Sequence, residues 1–201
     1  MASRFHFPPD QGGGLIDAAD SVLCVIDVQD VFLDKIPQKR QRVLNNVCWL
    51  IEAARWLEIP LVVMGEEVDR QPLAEELIEK LPPHQPVFNK LVFGLAGQAD
   101  ILQAVRETAR QTAVLVGLET DVCVLHSALG LQAEGYRVVV VADAVGTPAP
   151  HHQVGLERMR QAGVTITDVK GLFYEWMRTV AQVDRFHQAL PHMREAAGIV
   201  L

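Results

Sequence analysis

Three side chains of reactive type stand just beyond apolar runs: Asp27 after residues 22–26, Lys90 after Val87-Phe88-Asn89, and Cys123 a short link beyond residues 113–116. A thiol attacks as its thiolate, so it needs a proton acceptor close by and a positive group to support the charge. A carboxylate supplies the first and an ammonium the second. With Thr120 as a helix N-cap, Cys123 falls in the first helical turn, where unpaired backbone N–H groups and the macrodipole favour a thiolate. Each residue also has a plainer reading. Cys123 can be a small apolar residue beneath a sheet, Asp27 a solvated carboxylate or an anchor for backbone N–H groups, and Lys90 a surface cation. Cys24, inside the first apolar run, and Cys48, inside a helical stretch, fit the plainer reading.

The elements that must position these groups show in the periodicity. Residues 22–28, 61–64, 113–116 and 138–142 are short apolar runs without period-two alternation. Such runs suit strands covered on both faces, as in a parallel sheet. Between them lie stretches of helical spacing, which parallel crossovers require. In residues 38–58 the apolar Val43, Val47, Leu50, Ile51, Ala54 and Leu57 recur at three and four residues. Residues 99–108, 121–134 and 152–162 behave likewise, the last two followed by Gly135 and Gly163 at helix C-termini. Residues 164–167 read as a last strand, and 172–189 as a closing helical region bearing Phe173, Trp176 and Phe186. The alternation predicts an α/β fold: a three-layer, doubly wound sheet of about six mainly parallel strands with helices on both faces. Ligands of such sheets bind beyond the carboxyl ends of the strands, where Asp27, Lys90 and Cys123 fall. No glycine follows the first run in Val25-Ile26-Asp27-Val28-Gln29-Asp30, so a dinucleotide fingerprint is missing and no cofactor is expected.

Residues 1–20, with Pro8, Pro9 and three glycines at 12–14, read as an irregular surface lead-in to one domain over residues 21–201. The 18 Lys and Arg against 25 Asp and Glu give a net charge of -7, and no basic run concentrates the cations, which argues against nucleic acid. No stretch approaches the roughly 18 apolar residues of a membrane span. The three cysteines match neither zinc-ligand spacing nor a disulfide framework, so reduced thiols in a cytoplasmic protein are expected.

The segments Val25-Ile26-Asp27-Val28-Gln29-Asp30-Val31-Phe32, Phe88-Asn89-Lys90 and Gly117-Leu118-Glu119-Thr120-Asp121-Val122-Cys123-Val124 together resemble the isochorismatase-like cysteine hydrolases. Glu134-Gly135-Tyr136-Arg137 and Val141-Ala142-Asp143-Ala144-Val145-Gly146 extend the resemblance over roughly residues 21–170. The resemblance implies that Asp27, Lys90 and Cys123 form a triad: Asp27 takes the thiol proton, and Cys123 attacks an amide or related carbonyl of a small-molecule substrate through a thioester. It also implies a cis peptide between Leu118 and Glu119, an oxyanion hole made by the backbone N–H groups of Glu119 and Cys123, and a homo-oligomer. The apolar closing region, residues 172–201, could bury itself against a partner subunit. Nicotinamidases of the family carry an Asp-x-His-x-x-His metal motif after strand two. Here Gly65-Glu66-Glu67-Val68-Asp69-Arg70-Gln71-Pro72 holds no histidine, so no metal is expected. After Lys90 the chain has Leu91-Val92-Phe93-Gly94-Leu95 in place of the family's Ser-Ala-Phe type of sequence, which alters the pocket lining.

His126, three residues beyond Cys123 on the same helical face, reads as a buried structural histidine, the alternatives being a partner that supports Cys123 or a proton carrier. His151 and His152 read as exposed loop residues, and Glu66 and Glu67 as a solvated pair able to point into the pocket. Competing functions are a noncatalytic binding or assembly module, vinyl ether hydrolysis of the isochorismatase type, and a thiol redox protein. For the last, neither Cys24 nor Cys48 is placed as an evident resolving partner.

Overall fold

The computed structural model describes residues 14–195; the expected lead-in lies outside the described residues up to position 13. Six strands, β1 (Ser21–Ile26), β2 (Leu61–Glu66), β3 (Val87–Lys90), β4 (Thr112–Leu118), β5 (Arg137–Gly146) and β6 (Thr165–Thr167), form one sheet in the order β3-β2-β1-β4-β5-β6. Every pairing is parallel. The doubly wound sheet expected from the sequence is borne out, and its order reverses between β1 and β4.

Both faces are covered, which explains the absence of alternation in the apolar runs. On β1, Leu23 and Val25 enter one core and Val22, Cys24 and Ile26 the other. The first core is closed by α2 (Arg40–Trp56), α7 (Val169–Met177) and α8 (Val180–Ala189), with short helices α1 (Asp30–Leu33) and α3 (Glu75–Ile78) at its margin. The second is closed by α4 (Ala99–Glu107), α5 (Leu125–Ala133) and α6 (His151–Gln161). An aromatic cluster locks the first core: Trp49 and Phe173 have ring centroids 5.1 Å apart, as do Phe173 and Phe186. Such pairs add about 0.5–1.5 kcal/mol each beyond area burial.

The closing helical region consists of two helices. Arg178 turns left-handed (φ 62°), and Thr179 then caps α8 by accepting from Gln182 N–H at 3.2 Å. Ile16, within the expected surface lead-in, is instead fully buried, and its N–H donates to Glu175. At the centre of the sheet Gly117 (φ 118°) passes so close to β1 that a Cβ there would lie 1.8 Å from the Ile26 carbonyl oxygen. Only glycine permits that approach.

Candidate functional site

Parallel register brings the strand ends together. Ile26 pairs with both Met64 and Gly117, and Glu66 pairs with Lys90. Asp27 therefore leaves β1 at the reversal point, with a left-handed backbone (φ 50°) and its N–H bonded to Met64 O at 3.0 Å. An aspartate tolerates that conformation at a cost of about 1 kcal/mol, and such residues concentrate at functional sites. Lys90 is the last residue of β3, and its side chain is wholly buried. Beyond β4 the Leu118–Glu119 peptide is cis. The chain then makes a wide turn over Thr120–Val124, in which Val124 N–H reaches back five residues to Glu119 O at 3.1 Å. Wide turns of this kind recur at functional sites. Glu119, not Thr120, stands in the cap position, and the Thr120 hydroxyl meets His152 Nδ1 at 2.9 Å.

The structure brings Asp27, Lys90 and Cys123 into one cluster and adds Glu66. Lys90 Nζ lies 3.0 Å from Asp27 Oδ2, 3.7 Å from Glu66 Oε2 and 3.7 Å from Cys123 Sγ. It also donates to Val92 O at 2.8 Å. Ligand atoms of Asp27, Glu66 and Cys123 lie within 4.8 Å of one another. Neither Asp27 carboxylate oxygen has a hydrogen-bond partner among the described residues, so its contact with Lys90 is ionic. Burial pushes the Asp27 carboxyl up to about 6, and the Lys90 ammonium offsets part of that rise. Burial also pushes the Cys123 thiol well up; the Asp27 carboxylate adds to the rise and Lys90 opposes it. Burial thus works against the thiolate that a helix N-terminus would favour.

Three donors this close would suit a divalent ion. The Lys90 ammonium, however, occupies the space between them, so these residues do not fit a metal while Lys90 is in place.

Glu66 is the member of this cluster that sequence reasoning set aside. Its signal was the one applied to its neighbours, a polar residue ending a strand. Glu67, by contrast, points away and pairs with Arg70 at 3.3 Å. Fully buried Gln29 fixes Glu66 from behind: its Oε1 accepts from Glu66 N–H at 2.8 Å and its Nε2 donates to Glu66 O at 2.9 Å. His126 is exposed, contrary to the expectation of burial, and its ring meets the exposed Phe93 edge-on. His151 and His152 open helix α6 rather than a loop, and His152 is half-buried against Thr120.

A wholly parallel sheet with acid, ammonium and thiol gathered at its reversal point defines a doubly wound α/β protein with a buried thiol among charged groups. The isochorismatase domain model matches residues 21–171, and the chain belongs to that family. Among curated relatives it is similar to the secreted isochorismatase effector Isc1 of Phytophthora sojae, 33% identical over 160 residues that cover 77% of this chain and 76% of the relative. Among solved structures it resembles YcaC of Escherichia coli, described as an octameric hydrolase of unknown specificity. The TM-score is 0.79 at 25% identity, covering 92% of this chain and 95% of that one. It also resembles YcaC from Pseudomonas aeruginosa with hexane-2,5-diol and covalent acrylamide, at a TM-score of 0.77 and 25% identity, covering 92% and 96%.

Proposed function

We propose that this isochorismatase-family protein is a cysteine hydrolase that cleaves a small amide or related C–N bond through a thioester on Cys123. The observation that carries this reading is the meeting of Cys123 Sγ, the Lys90 ammonium and the ion-paired Asp27 carboxylate at the carboxyl edge of the sheet. Asp27 accepts the thiol proton as sulfur attacks the carbonyl carbon, and Lys90 supports the transient negative charge. The backbone N–H groups of Glu119 and Cys123 donate to the developing oxyanion. The C–N bond then breaks, and the departing nitrogen takes the proton from Asp27. Water hydrolyses the thioester, releasing the acid and restoring the thiol. The covalent acrylamide of the Pseudomonas relative is consistent with this reading, because acrylamide is an electrophile that adds to nucleophiles. Free thiols at Cys24, Cys48 and Cys123 fit a reducing compartment such as the cytoplasm, and no helix among the described residues is long and apolar enough to cross a membrane. By analogy with octameric YcaC, the chain acts as a homo-oligomer on a small-molecule substrate.

Limiting iodoacetamide tests the assignment. Mass spectrometry should find Cys123, which lies beside Lys90 and Asp27 at the strand ends, alkylated ahead of Cys24 inside β1 and Cys48 inside α2. Amide hydrolysis should disappear in step with labelling. Wild-type turnover by Cys123→Ala would exclude the covalent route.

A further inference from the structure

The charges around Cys123 do not balance. One ammonium, Lys90, faces two carboxylates, Asp27 at 3.0 Å and Glu66 at 3.7 Å, and forming a thiolate would add a further negative charge. Uncompensated like charges packed this closely in a partly buried site are unfavourable. Glu119 does not change the count, since its carboxylate is paired with Lys35 at 3.3 Å. The two excess-charge candidates differ in access: Asp27 is sealed, whereas the Glu66 side chain keeps 28% of its surface exposed. Glu66 Oε2 accepts from the Cys123 thiol at 3.7 Å, while Oε1 has no hydrogen-bond or ion-pair partner among the described residues. Nor is its place incidental, because buried Gln29 holds both its backbone N–H and its carbonyl.

Building on the assignment of Cys123 as nucleophile, we propose that Glu66 is a substrate-binding carboxylate. It selects amides that carry a nitrogen cation, such as an ammonium, amidine or guanidinium group, beside the scissile carbonyl. The substrate cation pairs with the outward-facing carboxylate and supplies the missing positive charge at the moment the thiolate forms. The Glu66 charge is itself among the groups that push the Cys123 thiol up, so its neutralisation by substrate also eases attack.

Methanethiosulfonates with 2-ammonioethyl, methyl and 2-sulfonatoethyl tails test this on the full chain. Each transfers its thioalkyl group to a thiol as a mixed disulfide and releases methanesulfinate together with the thiol proton. At Cys123 the ratio of cationic to anionic reagent rates should be about tenfold higher in the wild type than in Glu66→Gln, as expected for one nearby charge in a partly buried site. Glu66→Asp should keep the preference. Glu67→Gln, which removes a charge next in sequence but facing away, should change the ratio less than about twofold, as for a screened surface charge. The same ratio in wild type and Glu66→Gln, with Cys123 reacting readily, overturns the selectivity proposal alone. Failure of all three reagents to modify Cys123 ahead of Cys24 and Cys48 overturns the nucleophile assignment, and this proposal with it.

Discussion

Asp27 is asked to be a base in surroundings that resist its ionisation. Burial lifts its carboxyl to about 6, and the Lys90 ammonium is the largest influence opposing that rise. A base must be ionised to accept the thiol proton, so kcat/KM for any accepted amide should climb with pH and level off above a midpoint of about 6. Below that midpoint it should fall about tenfold per pH unit. Initial rates across that range are the measurement, and a flat profile would remove Asp27 from the role. Stability should move the other way. Folding raises this pKa from 3.8 to about 6, so the native state holds the proton more tightly than the unfolded chain. The associated stabilisation is complete below 3.8 and is lost as pH rises through about 6. Asp27→Asn lacks that titration, so urea unfolding should show the wild type losing about 1–3 kcal/mol relative to it over that interval.

At the level of elements, two devices hold the strand ends in place. Gln29, just past β1, bonds the backbone of Glu66 at the end of β2 and also donates to the Gln71 carbonyl. Gln29→Ala leaves those buried groups without partners and should lower unfolding free energy by about 2–4 kcal/mol. It should also slow Cys123 labelling by cationic reagents, since Glu66 is no longer held. An unchanged urea midpoint would show that the clamp contributes nothing. The second device is the close approach of β4 to β1. Gly117→Ala forces a Cβ against the Ile26 carbonyl at a positive φ and should destabilise by about 3–5 kcal/mol. In any folded Gly117→Ala protein, Asp27 and Cys123 should move apart and hydrolysis should fall more steeply than stability.

For the whole molecule, the informative feature is what the two cores leave uncovered. Leu91, Val92 and Phe93 are 69%, 38% and 54% exposed, immediately after the buried Lys90. Consecutive apolar side chains exposed to this degree mark interaction surfaces more often than solvent-facing ones. The strip continues from β3, which is an edge strand. Sedimentation should therefore report a homo-oligomer, and Phe93→Glu with Leu91→Glu should dissociate it while leaving the monomer folded by circular dichroism. Monomeric wild-type protein at micromolar concentration would refute the assembly.

The amino-acid sequence by itself determined the layering. Val22, Leu23 and Val25 are apolar in succession because both faces of β1 are covered, and that requirement is visible within a few residues. It also determined that Asp27, Lys90 and Cys123 lie at or just past strand ends, since turns and helix starts are local. Glu66 lay in the same kind of position, but whether it met solvent or sulfur depended on the β2–β3 register, which pairs it with Lys90. Only the tertiary structure could decide that. The same holds for His126, turned outward beside Phe93, and for His152, drawn to Thr120 by the packing of α6 against the wide turn. The upward push on the Cys123 thiol was decided at that level too. A helix terminus acts along one segment and can be read from it, whereas desolvation sums over every distant side chain that folding brings to the sulfur, and here it pushes the thiol up.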